Sequence, residues 1–164
     1  MTGIRAIQTS LEMTKKDVEW LLGDFTDADL FVRPIPESNH AAWQLGNIIA
    51  GDFFFVKAVV PNAKLPELPP GFMEQHGKDG AKKDGPTGFH TKAEYLKIFG
   101  NVRAATIAAL NTLTDADLDK PTSDEMKPFA ATVAAAFLIA SHHTWMHLGQ
   151  FSVIRRKLGK PVLM

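Results

Sequence analysis

Apolar side chains recur with a helical period in four stretches of the chain. In the first, Ile4, Ile7, Leu11, Thr14, Val18, Leu21, Leu22 and Phe25 return every three or four residues with charged residues between them. That is the spacing of one face of an amphipathic helix, predicted over 4–25. Thr26-Asp27-Ala28-Asp29 then reads as a short capped turn. Arg33-Pro34-Ile35-Pro36 is extended, because each proline disfavours helix in the residue before it. A second helix should begin after Ser38 or Asn39, both good N-caps, and run to about Val60, where Pro61 stops it. Its inner stripe at helical spacing is His40, Trp43, Asn47, Ala50, Gly51, Phe54 and Ala58. Thr91-Lys92-Ala93-Glu94 has the form of a capping box and opens a third helix. Tyr95, Ile98, Phe99, Val102, Ala105, Ala109 and Leu110 carry its apolar face, and it ends near Leu113. The fourth stretch, 130–159, has no proline and reads as one long helix.

The connections are of two kinds. Residues 62–90 have no sustained apolar period and are rich in Pro, Gly and Lys. A run this long suggests a functional loop, a lid or a disordered crossover. His76 and His90 lie in it and are expected to be solvated. Thr114-Asp115-Ala116-Asp117-Leu118 repeats Thr26-Asp27-Ala28-Asp29-Leu30 letter for letter, each time after a helix and before a proline-containing stretch. The pattern predicts a single all-α domain over 1–164. It is a four-helix bundle of two helix hairpins joined by a long crossover loop, 61–90.

Composition narrows the function classes. Lys plus Arg and Asp plus Glu each number 18, so no basic footprint marks a nucleic-acid partner. There is no cysteine, which removes disulfides, thiolate metal sites and a protein thiol nucleophile. The N-terminal segment has no apolar signal region, and no stretch is long and apolar enough to span a membrane. A soluble, cytoplasmic protein is expected.

Candidate chemistry concentrates on the fourth helix. His143 and His147 are four residues apart, which places both imidazoles on one side, one turn from each other. Ala136, Ile139, Ala140, Met146, Gln150 and Ile154 share that side, so the pair is expected to face a core. Two such imidazoles can grip one cation, since neutral histidine is a common metal ligand. The same spacing also suits core histidines that merely hydrogen-bond, and the Glu of a metalloprotease motif is absent. His142 points away and reads as flank. From the second helix Asn47 should face the pair across a pocket floored by Ala140, Ala50 and Gly51. Asn47 could be a ligand or a hydrogen-bonding neighbour; His40, on the same inner stripe, could face the core or sit at the wet end of its helix. No residue pair stands out as a general base. On the opposite side of the fourth helix, Leu138, Trp145 and Gly149 need a cover. A two-fold homodimer would supply it; so would the crossover or the first helix.

The segments NHAAWQLGNIIAGD and HHTWMHLGQFSVIRRKLGKP resemble the DinB-like (damage-inducible) four-helix bundle superfamily. The pattern there is roughly W-x-x-G-H on the second helix and H-x-x-x-H-x-G-Q-x-x-x-x-R-R on the fourth. His143, His147, Gly149, Gln150, Arg155, Arg156 and Gly159 fall in place. The resemblance implies a divalent metal held by three histidines with open positions, and relatives that include bacillithiol- or mycothiol-dependent transferases and isomerases. This chain has Asn47 where the pattern has its second-helix histidine. By that likeness the expected site is His143, His147 and Asn47, holding zinc or nickel less tightly than three imidazoles would. The function expected is a metal-dependent enzyme of the thiol-dependent transferase or hydrolase type, acting on a small molecule. Any thiol would have to arrive as a cosubstrate, because the chain has none. The alternative is a metal-free binding or interaction module.

Overall fold

All four long helices form in the computed structural model, which describes residues 1–163. They are α1 (Gly3–Leu21), α2 (Ala41–Val59), α4 (Lys92–Leu110) and α6 (Val133–Lys157). Two single turns, α3 (Phe72–Gln75) and α5 (Asp115–Leu118), lie in the connections. The described residues contain no strand, only one isolated bridge, Pro121 to Thr132.

Local chemistry explains the starts. The Thr91–Glu94 capping box is present as read, with both reciprocal bonds. α6 begins three residues later than its apolar period, because the Thr132 hydroxyl accepts from the Ala135 amide and sets the first turn there. α2 is capped by His40 rather than by Ser38 or Asn39: its Nδ1 accepts the Trp43 N–H at 3.2 Å. The repeated five-residue motif is the same device twice. The Thr26 amide donates to Asp29 and the Asp29 amide to the Thr26 hydroxyl, at 2.8 and 3.2 Å. Thr114 and Asp117 do likewise, at 2.7 and 3.3 Å. Each box ends its turn on a buried leucine, Leu30 or Leu118.

The helices pack in a ring, α1 against α4 and α6, and α2 against α4 and α6. Side-chain pairs give their directions. Ser10 meets Ser141 and the Leu21 carbonyl meets Arg155, so α1 and α6 run parallel. Gln44 meets His147 and Asn47 meets His143, so α2 and α6 are antiparallel. Lys92 reaches Leu22 while Arg103 reaches Leu11, so α1 and α4 are also antiparallel. The bundle is therefore not a pair of side-by-side hairpins: the helices joined by the shorter links, α1 with α2 and α4 with α6, lie across its diagonals. Segments 22–40 and 111–132 are long enough to cross an end of the bundle, which a tight turn could not do.

Apolar burial falls into two clusters along the axis. One gathers Val18, Leu21, Leu45, Ile48, Phe99, Val102, Leu148 and Phe151. The other gathers Ile7, Leu11, Val56, Leu110, Val133, Phe137 and Ala140. Between them, at the level of Thr14, Asp52, Arg103 and Thr144, the interior is polar. On α2 the residues that point to the axis are Leu45, Ile48, Ile49, Asp52 and Val56. The expected stripe through Asn47 instead faces α6, and its far end is open: Ala58 is exposed and Phe54 half-exposed. α2 is covered by two helices and the crossover, so its buried arc is wider than one stripe.

The crossover is ordered against α2. His76 is fully buried, not solvated: its Nδ1 lies 2.8 Å from the Phe72 carbonyl and its Nε2 2.7 Å from the Tyr95 hydroxyl. The ring lies on Gly46, where a Cβ would come within 2.0 Å of it. The Trp43 indole donates to the Gly77 carbonyl at 3.0 Å. His90 is half-buried, edge-on to Tyr95, where solvent was expected. His40 is buried, in keeping with its place on the inner stripe and not at a wet end, between Phe31 and Phe89, with Nε2 3.0 Å from the Lys83 carbonyl. The histidines and phenylalanines of the connections bury one another, which a search for helical period does not detect.

Candidate functional site

His143, His147 and Asn47 meet on the α2–α6 side of the bundle, at the level of the polar layer. His143 Nε2 is 3.1 Å from Asn47 Oδ1 and 3.1 Å from His147 Nε2. His147 is buried, whereas His143 and Asn47 are half-buried.

The neighbours decide how each group is turned. A carbonyl oxygen can only accept, so the Asn47 amide nitrogen must be the atom facing the His76 carbonyl, at 3.0 Å. Asn47 Oδ1 is thereby aimed at His143. The same reasoning holds for Gln44, which is buried. Its Nε2 donates to the Asn39 carbonyl at 2.6 Å, so its Oε1 faces His147 Nδ1 at 3.0 Å. That nitrogen must carry the proton, and the lone pair of His147 is left on Nε2, toward the site. In the hydrogen-bonded arrangement His143 Nε2–H then donates to His147 Nε2 and Asn47 Oδ1.

His143 Nδ1 is buried and has no partner. It sits over Gly51, where a Cβ would come within 2.8 Å of it, so only glycine leaves space for the ring. Both imidazoles are held neutral. Burial lowers the His143 pKa, with the Arg103 charge adding to it. Burial, then the neighbouring His143, takes His147 down to about 3. Neutral imidazoles keep the lone pairs a metal ion needs.

Ligands at about 2.0–2.1 Å from a tetrahedral ion lie roughly 3.3 Å apart. The two 3.1 Å separations are close to this, and the hydrogen bonds that His147 and Asn47 donate to Gln44 and the His76 carbonyl hold two of these groups in place, as outer partners of metal ligands commonly do. Two of the three donor separations thus match those of ligands on one ion. The residues are one imidazole short in chemistry: among the described residues no group of three or more His, Cys, Asp or Glu gathers for a metal. An amide oxygen is the weaker partner for zinc or nickel.

A cavity of about 600 Å³ opens beside the pair, between α2, α6 and α3 of the crossover. Asn47, Gly51 and His143 form its inner end, and Phe54, Phe55, Met73, Ile139 and Met146 its walls. Ala50 and Gly51 line it as expected. Ala140 does not: it is fully buried in the core, and His142, placed on the flank, stands at the rim. Met146 is half-exposed, because the side of α6 that carries the pair faces the gap beside α2 rather than the axis.

Three polar residues escaped the sequence reading. Gln44 lies three residues before Asn47, so the i, i+3 relation on one helix side could have found it. Asp52 and Arg103 form a buried pair, with Nε to Oδ2 at 2.9 Å and Nη2 to Oδ1 at 3.3 Å. Arg103 also donates to the Thr14 and Thr144 hydroxyls at 3.1 and 2.8 Å. Each charged residue sits at helical spacing within an apolar series: Leu45, Ile48, Asp52, Val56 and Phe99, Arg103, Thr106, Leu110. An opposite-charge pair inside two such series was the signal.

Residues 10–151 match the family model of the DinB superfamily, and the chain belongs to that family. No curated protein matches the chain.

Proposed function

We propose that this member of the DinB superfamily is a divalent-metal-dependent enzyme of the thiol-dependent transferase or hydrolase type. His143 Nε2, His147 Nε2 and Asn47 Oδ1 would hold the ion, zinc or nickel. The observation that carries this reading is the convergence of three neutral donor atoms, with His143 Nε2 at 3.1 Å from each of the other two. A bound divalent ion would supply a lowered pKa for a water or an external thiol. The chain's own part is to orient the donors: Gln44 fixes the tautomer of His147, and the His76 carbonyl fixes the Asn47 amide. With no cysteine in the chain, the thiol would be a low-molecular-weight cosubstrate. Among the described residues no helix is long and apolar enough to cross a membrane, and a cytoplasmic location is part of the proposal.

One observation favours the second reading, a metal-free binding module. The three groups complete a hydrogen-bonded chain among themselves, and only two of them are imidazoles. Metal analysis of protein purified without a histidine tag separates the readings. About one zinc or nickel per chain is expected, and a metal content near zero would favour the module. In calorimetric titration Asn47→His is expected to tighten zinc binding by about tenfold or more, because imidazole replaces an amide oxygen. Equal affinities would remove position 47 from the site.

We also propose a two-fold homodimer through the outer side of α6. Trp145 is 41% exposed there and Gly149 has open space over it. Met13 and Trp20 lie half-exposed on the adjoining, parallel α1. Light scattering should give a dimer mass for the wild type and a monomer mass for Trp145→Glu. A monomeric wild type, or a dimer indifferent to the charge, would refute this interface.

A further inference from the structure

The groove beside His143 has a composition that selects what enters it. Its volume, about 600 Å³, lies in the range of small-molecule sites. No Asp, Glu, Lys or Arg lines it. A charged group placed there would lose hydration with no opposite charge to meet. Its walls expose large apolar side chains from three separate elements: Phe54 of α2 at 50%, Met73 of α3 at 42% and Met146 of α6 at 53%. Scattered singly such residues mean little, but here they converge on one concavity. Phe54 and Phe55 stand edge to face with centroids 5.4 Å apart, and methionine sulfur packs well against aromatic edges. Its polar side chains are Asn47 and His143 at the inner end and His142 at the rim.

From this arrangement we infer that the groove seats an uncharged aromatic group of the small-molecule substrate, with the group to be transformed directed at His143 and Asn47. The inference rests on the proposed reading of those residues as the reactive end. It adds a substrate class: the aromatic group fills the groove, and the polar or ionic part of any thiol cosubstrate remains outside it.

The test uses metal-free full-length protein, so that it stands apart from metal binding. Indole and indole-3-acetate are titrated separately while backbone amide shifts are followed by NMR. Indole is expected to shift Gly51, Ile139 and Met146 saturably, and the carboxylate analogue to bind at least tenfold more weakly. Met146→Glu and Met73→Glu, each at a half-exposed position on a different element, should each weaken indole by tenfold or more. Equal binding of the two probes, no saturable shift at these amides, or indifference to both substitutions would overturn the inference. So would shifts at the same amides that grow with protein concentration alone, which would assign the groove to a second copy of the chain. Failure with indole leaves the metal titrations untouched, and absence of metal leaves the indole result untouched.

Discussion

Two polar groups occupy the same level of this bundle and are built in opposite ways. On the axis, Asp52 and Arg103 are fully buried between the two apolar clusters. They are paired through two contacts, and the remaining guanidinium hydrogens are taken by Thr14, Thr144 and the Leu11 carbonyl. Their burial pushes the Asp52 carboxyl up to about 6 and lowers Arg103, while each charge opposes the shift of the other. On the wall, His143 and Asn47 are half-buried, neutral and open to a groove, and His143 Nδ1 has no partner. The first group is enclosed by four helices with no groove beside it; its Nε–Oδ2 contact is an ion pair rather than an aligned hydrogen bond, and the Arg103 bonds to Thr14, Asp52 and Thr144 tie those helices together. The second is neutral, and one side of it opens on the groove. The difference teaches that being polar and interior does not by itself make a candidate site; what sets the second group apart is the accessible groove beside it.

That contrast makes the axial pair the most sensitive point of the fold. Asp52→Ala strands the Arg103 charge and is expected to cost about 3–5 kcal/mol in denaturant unfolding. His143→Ala removes little more than one net hydrogen bond, about 1 kcal/mol. Comparable losses from the two variants would break the distinction between a structural and a functional polar group.

The crossover joins the two regions, and Gly46 is where it presses closest. Gly46→Ala would drive a Cβ into the His76 ring, which two hydrogen bonds hold in place. Overpacking of this kind costs about 1–3 kcal/mol. It should also shift the Asn47 side-chain amide in NMR, because Asn47 donates to the His76 carbonyl. Loss of stability with an unmoved Asn47 amide would show that the crossover does not position the site.

The finest test concerns tautomers. Gln44→Leu takes away the acceptor of His147 Nδ1–H. It is expected to lower zinc affinity about 10–100-fold and to release the fixed tautomer in the imidazole ¹⁵N shifts of metal-free protein. Gln44→Glu, which keeps an acceptor, should retain the tautomer. If His147 keeps its Nδ1–H form in Gln44→Leu, the orientation comes from packing alone.

Much of this was legible along the chain. The periods of Ile4–Leu22 and Tyr95–Leu110, and the Thr-x-x-Glu and Thr-Asp-Ala-Asp capping patterns, are local: each is satisfied within a few residues, so the helices could be placed before any packing was known. The spacing of His143 and His147 belongs to the same kind, since one turn of α6 is enough to bring them together. Asn47 was reachable through the resemblance of its segment, and its small neighbours marked space beside it.

What required the tertiary structure was everything settled between elements. Diagonal placement of consecutive helices depends on how links of twenty or so residues run over the bundle ends, and no local propensity records that. The roles of His40, His76 and Gln44 have no local signature, because their partners, at Lys83, Tyr95 and His147, lie 43, 19 and 103 residues away. The sequence by itself determined the helices, their caps and the presence of two imidazoles on one turn, because backbone hydrogen bonds and side-chain spacing close over short distances. Only the tertiary structure decided which nitrogen of His147 bears its proton, which atom of Asn47 faces His143, and that the pair opens on an apolar groove. Those outcomes depend on carbonyls and side chains brought alongside by packing, and a burial or a hydrogen bond exists only when both of its partners are in place.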